Sequence, residues 1–199
     1  MSVPRRLECA KRNMMLDELA KDGCSHSIIT DSDEFYDHDD FKKAKDLIDS
    51  LDYARVTYCQ YVNYYNAYDR ILLYPWTAYV PFITESSYRF EFDSGDFDRP
   101  SDPTRRYKLE PGPDGNKNFQ IIDWDTVHMH HLSWIRRDIE KKIDCWSAKR
   151  YFENVDGLRG RILDRYYNWI QGENAYLMFG VPDNQVIVQK LDEQYINPR

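Results

Sequence analysis

An α/β fold, a mixed sheet flanked by helices, is predicted by three observations. Residues 5–51 read as helix, short strand, acidic turn and helix. Residues 53–92 carry runs rich in β-branched and aromatic side chains, and two further helical patterns follow between about 134 and 171. With 199 residues, 42% of them apolar and 15% aromatic, the chain is long and apolar enough for one domain with a real core.

The elements are justified in chain order. Leu7, Ala10 and Met14, with Met15 and Leu19 one step round, recur at helical spacing over 5–21, and Asp22-Gly23 follows as a C-terminal cap. SIIT at 27–30 has the pattern of a short buried strand, and Asp39 or Asp40 is placed to cap a helix carrying Phe41, Ala44, Leu47, Ile48 and Leu51 on one face. From Tyr53 to about Tyr65, β-branched and aromatic residues alternate with Arg55, Thr57, Gln60 and Asn63, and strand-like runs recur at about 70–80 and 87–92. Residues 93–118 hold four of the nine prolines and three of the eight glycines, which marks a long loop and a lid candidate. A short strand at 119–122, the run DWDTVHMHHLSW, a basic helix from about 134 to 150, a helix from about 154 to 171 and a strand-like VIVQKL complete the chain. Residues 1–199 are expected as a single domain, a core over 1–150 and a helical and strand extension over 151–199.

The bulk chemistry excludes several function classes. A net charge of −7, from 34 acidic against 27 basic side chains, argues against general nucleic-acid binding, which needs excess Lys and Arg. Cys9, Cys24, Cys59 and Cys145 show no CxxC spacing, so neither a zinc ribbon nor a disulfide framework is indicated. No run approaches the ~20 apolar residues of a membrane span, and the first residues lack the apolar stretch of a secretory signal. A soluble, cytoplasmic protein is the expectation.

The stretch HSIITDSDEFYDHDD, 26–40, is the most informative. Asp31, Asp33, Glu34, Asp37, Asp39 and Asp40 crowd into ten residues after a buried-strand pattern. Like charges that close oppose one another's ionisation, so something positive is expected nearby to offset them. A divalent cation is one candidate, since hard cations take carboxylate oxygens and keep positions open for phosphate, and the C-terminal end of a strand is where open α/β sheets bind ligands. A solvated acidic turn is the plainer alternative. His128, His130 and His131 stand about a hundred residues later; in an extended segment His128 and His130 share one face and His131 takes the other. Arg136, Arg137, Lys141, Lys142, Lys149 and Arg150 otherwise read as a solvated helix face.

The run KRNMMLDELAKDGCSHSIITDSDEF resembles the segment of GT-A-fold glycosyltransferases, family-two-like in its DxDE, where an Arg-Asn helix leads through a strand into a DxD. HHLSWIRRDIEKKIDCWS is similar to the His, Ser-Trp and Lys elements of related transferases, including those that add the bisecting N-acetylglucosamine. The resemblance implies a GT-A-like domain that moves a sugar from a nucleotide-diphosphate donor, a UDP- or GDP-sugar, to a hydroxyl of a glycan, protein or small-molecule acceptor, with Mn2+ or Mg2+ as cofactor. It implies Asp33 as metal ligand, Asp31 at the ribose or the metal, His131 completing the coordination, and Lys142, with Lys141 as rival, at the diphosphate. Arg12 and Asn13 fall at the donor site. Only thirty residues precede Asp31, so a domain truncated at its N-terminal half-sheet is expected.

Charge building on the leaving diphosphate calls for a metal and a nearby cation, and an inverting transfer also calls for a carboxylate base, for which Glu85, Asp123 and Asp125 are candidates. Trp76, in YPWTAY, is the candidate platform for an acceptor sugar, although core packing accounts for most aromatic residues nearby. Two other readings compete: a non-catalytic remnant or binding module of a GT-A domain, and a metal-dependent phosphoesterase. The second needs more ligands, and no HxxEH or HD motif supplies them.

Overall fold

The computed structural model describes residues 3–51, 55–73, 78–92, 105–109, 118–145, 157–169 and 187–191. Among the described residues the fold is mixed α/β, with four helices and eight strands. Two compact units are built from interleaved segments, Met1–Tyr61 with Thr77–Met129, and Val62–Trp76 with His130–Arg199.

The first unit opens with α1, Val3–Lys21. Gly23 has φ +80°, a left-handed conformation that glycine adopts without a Cβ clash, and it closes the helix as the composition predicts. The Gly23 N–H donates to the Ala20 carbonyl at 3.1 Å, and the Cys24 N–H to the Leu19 carbonyl at 3.0 Å. The expected apolar stripe is corrected: Leu7, Met14 and Met15 are exposed, and the helix buries Cys9, Arg12 and Leu16 instead. That face is a helical stripe too, but it includes an arginine that only ion pairing makes tolerable inside.

The strand expected at 27–30 contracts to β1, His26–Ser27, antiparallel to β5, Tyr79–Glu85, with His26 opposite Glu85 and Ser27 opposite Thr84. Ile28 and Ile29 leave the ladder and pack as half-buried side chains against the cores. After the acidic turn come β2, Glu34–Phe35, and α2, His38–Asp49. The N-cap of α2 is Asp37 rather than Asp39 or Asp40. Its extended backbone lets its carboxylate accept the N–H groups of Asp39 and Asp40 at 2.9 and 3.2 Å, while those two acids sit in the first turn, where the helix dipole favours them. Ala44 and Ile48 of α2 pack with Cys59, Val80, Phe82, Ile122, Val127 and Met129.

β3, Val56–Tyr65, begins in this unit and lies antiparallel to β5 and parallel to β6, Gln120–Ile121. Its register against β5 shifts between Val56 and Tyr58, beside Pro81, which has no N–H to give. There the Thr57 hydroxyl donates to the Ile83 carbonyl at 2.7 Å and accepts the Ile83 N–H at 3.1 Å, standing in for the missing ladder bonds. The strand expected at 87–92 is reduced to one bridge, Phe90 with Tyr107. β2 pairs with β7, His128–Trp134, whose first two residues belong to this unit.

In the second unit β3 turns through Asn66, φ +63°, into β4, Ala67–Leu73, and β4 pairs antiparallel with β8, Ile187–Lys190. The basic helix expected from 134 begins later: β7 runs to Trp134 and α3 covers Ile139–Cys145. The helix expected over 154–171 is α4, Leu158–Tyr167. Tyr65, Leu72, Trp134, Ile139, Ile143, Leu158, Ile162, Tyr166 and Val188 form the core of this unit. Among the described residues no helix is long and apolar enough to cross a membrane.

Candidate functional site at the acidic turn

The sequence requires a cation beside Asp31, Asp33 and Glu34, and the structure supplies two guanidinium groups. The turn is closed by its own backbone, the Glu34 N–H donating to the Asp31 carbonyl at 3.1 Å, and the Asp31 N–H donates to Glu34 Oε2 at 2.9 Å. Arg105 grips Glu34 bidentately, Nη1 to Oε2 and Nη2 to Oε1, both at 2.7 Å, and its Nη2 also donates to Asp31 Oδ2. Arg12 Nη2 bridges Glu8 Oε1 at 2.8 Å and Asp31 Oδ1 at 3.2 Å.

Burial makes this network consequential. The side chains of Arg105, Glu34 and Arg12 are 3%, 4% and 7% exposed, whereas that of Asp31 is 46% exposed. Removing one partner of a buried pair of this kind costs about 3–5 kcal/mol, because the other charge is left without compensation. Partial burial pushes the Asp31 carboxyl up, but Arg105 and Arg12 outweigh it and hold the pKa below the usual aspartate value. Arg12 Nε and Nη1 are buried and find no hydrogen-bond acceptor among the described residues. Both oxygens of Asp31 and both of Glu34 already face guanidinium groups, and the described residues gather no group of three His, Cys, Asp or Glu side chains suited to a metal. A divalent ion that used Asp31 would therefore share its oxygens with Arg12 and Arg105.

Asn13, the neighbour of Arg12, acts as a strand partner: its Nδ2 donates to the Phe90 carbonyl at 3.0 Å and its Oδ1 accepts the Phe90 N–H at 2.8 Å. Glu85, a base candidate, accepts the Ser87 hydroxyl at 2.7 Å and lies 3.6 Å from Arg55. Asp123 and Asp125 are exposed in the turn before β7, which the N–H groups of Thr126 and Val127 close on the Asp123 carbonyl at 3.0 and 3.2 Å. Trp76 lies outside the described residues.

On β7, successive histidines meet successive residues of β3, as the period-two alternation of strands requires. His130 Nδ1 is 2.8 Å from the Tyr64 hydroxyl, with the rings stacked at 5.8 Å. His131 Nδ1 is 2.5 Å from Asn63 Oδ1. An amide oxygen only accepts, so this contact is a hydrogen bond when Nδ1 carries a proton. Lys142 of α3 donates to the Ser133 hydroxyl and lies 5.7 Å from the Trp134 ring. Lys141 is exposed and uses its backbone N–H on Asp138 Oδ1 at 3.1 Å.

Arg105 is the residue that the sequence reading missed. It belongs to the segment 93–118 expected as a lid, of which 105–109 and 118 are described, with Arg105, Tyr107 and Leu109 buried. The signal that points toward it is charge balance alone, and the sequence offers the nearer Lys42, Lys43 and Lys45 as well, of which Lys43 pairs with Asp40 rather than with Asp31 or Glu34. No protein-family model, no curated protein and no solved structure matches this chain.

Proposed function

We propose that the chain is a glycosyltransferase domain of GT-A type, moving a sugar from a nucleoside-diphosphate donor to an acceptor hydroxyl with help from Mn2+ or Mg2+. The observation that carries this reading is Arg12: a buried guanidinium beside the DSDE turn, with two nitrogens for which the described residues supply no acceptor. Phosphate oxygens are acceptors of the right charge, and a guanidinium is well suited to them. The DSDE turn, closed on itself by the Asp31 and Glu34 hydrogen bonds, suits the role implied by the resemblance. In the transfer, negative charge gathers on the departing diphosphate, and Arg12 is this chain's own group beside the turn for stabilising it. The metal, when bound, would be held by Asp33, with Asp31 as the further ligand of the turn that the resemblance implies, and would polarise the same oxygens.

A second reading has its own support. Asp31 is already neutralised by Arg105 and Arg12, which suits a non-catalytic module whose acidic turn is structural. Calorimetric titration with UDP- and GDP-sugars, with and without Mn2+, separates the two. The transferase reading expects metal-enhanced nucleotide binding, weakened about tenfold or more in Asp33→Asn, the loss of one charged ligand contact. No nucleotide binding at millimolar donor overturns it in favour of the module, and phosphate release without transfer favours the phosphoesterase.

A further inference from the structure

Away from the ion network, the turn that precedes β7 carries an arrangement that neither the acid cluster nor the core uses. Trp124 is 40% exposed, a large apolar surface left at a turn. Its ring lies flat on that of His128, with centroids 4.0 Å apart and an interplanar angle of 4°. His128 Nδ1 sits 3.3 Å from the Trp124 carbonyl, which ties the imidazole back to the turn. The turn itself is anchored on both sides, by Ile122 and Val127 in the buried core and by the two hydrogen bonds on the Asp123 carbonyl. The imidazole covers one face of the indole, and the tryptophan still keeps 40% of its surface open. Asp123 and Asp125, both exposed, flank the tryptophan in sequence.

We propose that Trp124, backed by His128, is a platform for the flat C–H face of a neutral pyranose ring, with Asp123 and Asp125 accepting its hydroxyl protons. A sugar ring presents an apolar face and a polar rim, and an indole beside carboxylates matches both at once. A cationic ligand suits the arrangement less well, because cages for cations surround the charge with several aromatic faces, and here the second ring lies behind the first. The pre-set stack also spares the ligand the cost of ordering the indole. This inference goes beyond the transfer reading, since stacking on Trp124 needs neither nucleotide nor metal.

The test uses the full chain without nucleotide. A panel of methyl β-glycopyranosides, of glucose, galactose, mannose and N-acetylglucosamine, is titrated while the indole N–H resonances are followed by NMR, with the Trp124 signal assigned by its loss in Trp124→Tyr. At least one glycoside is expected to bind at millimolar concentration and shift that signal. Trp124→Ala should weaken the binding about tenfold and Trp124→Tyr should largely keep it, as one aromatic contact would. Circular dichroism checks that each variant is folded. The proposal is overturned if no glycoside shifts the Trp124 signal, if Trp124→Ala binds as wild type does, or if a lysine-rich peptide binds there and the glycosides do not. A null result here leaves nucleotide binding untouched, so the two readings fail separately.

Discussion

At the scale of single residues, the acidic corner follows from charge balance. Six carboxylates in ten residues oppose one another's ionisation, so an offsetting cation was legible in the sequence as one of two readings, the other being a solvated turn. Which cation was not legible. Arg105 lies 74 residues from Asp31, and nothing in its local sequence distinguishes it from Arg106. The pH dependence follows from the sign of the shift at Asp31. Its pKa is lower in the folded state than the roughly 3.9 of an unfolded aspartate, so its contribution is complete above that value and is lost as pH falls through the folded one. Urea denaturation of wild type and Asp31→Asn between pH 2 and 7 should show a stability gap that is widest above about pH 4 and closes on further acidification. A gap that stays constant over that range would mean that the guanidinium contacts contribute nothing.

At the scale of elements, helices were read more securely than strands. The C-terminal end of α1 follows from Gly23, and of the apolar face expected on α2 Ala44 and Ile48 are buried and Phe41 is half-buried, while Leu47 is exposed and Leu51 lies past the helix end. The buried face of α1 does not follow from spacing, because periodicity ranks side chains by apolarity, whereas Arg12 is inside on account of Glu8 and Asp31. Strand lengths failed for a related reason. SIIT has the composition of a buried strand, but a strand exists only as far as a partner pairs with it, and the pairing with β5 stops at Ser27, opposite Thr84. At Phe90 the partner is a side chain. Asn13→Ala should therefore leave the N–H and carbonyl of a buried residue unmet and cost about 1–3 kcal/mol, whereas Asn13→Asp, which keeps the acceptor, should cost less. Chemical denaturation of the two variants checks that order.

At the scale of the whole molecule, the α/β class was legible and the division into two units was not, because the units interleave along the chain and part company within β3 and β7 rather than at a linker. Each unit packs by itself, the first around two clusters, one with Tyr58 and one with Phe82, and the second around a single cluster with Tyr65 and Ile162. The four cysteines are distributed unevenly across this division. Cys24 and Cys145 are exposed, while Cys9 and Cys59 are buried, both in the first unit, and burial pushes the Cys59 thiol up to about 12. A thiol reagent added to the native protein is therefore expected to consume two equivalents quickly, and the other two only as fast as the first unit opens. The slow phase would act as a stopwatch for that unit alone, running without any engineered label, while the second unit leaves no mark on it.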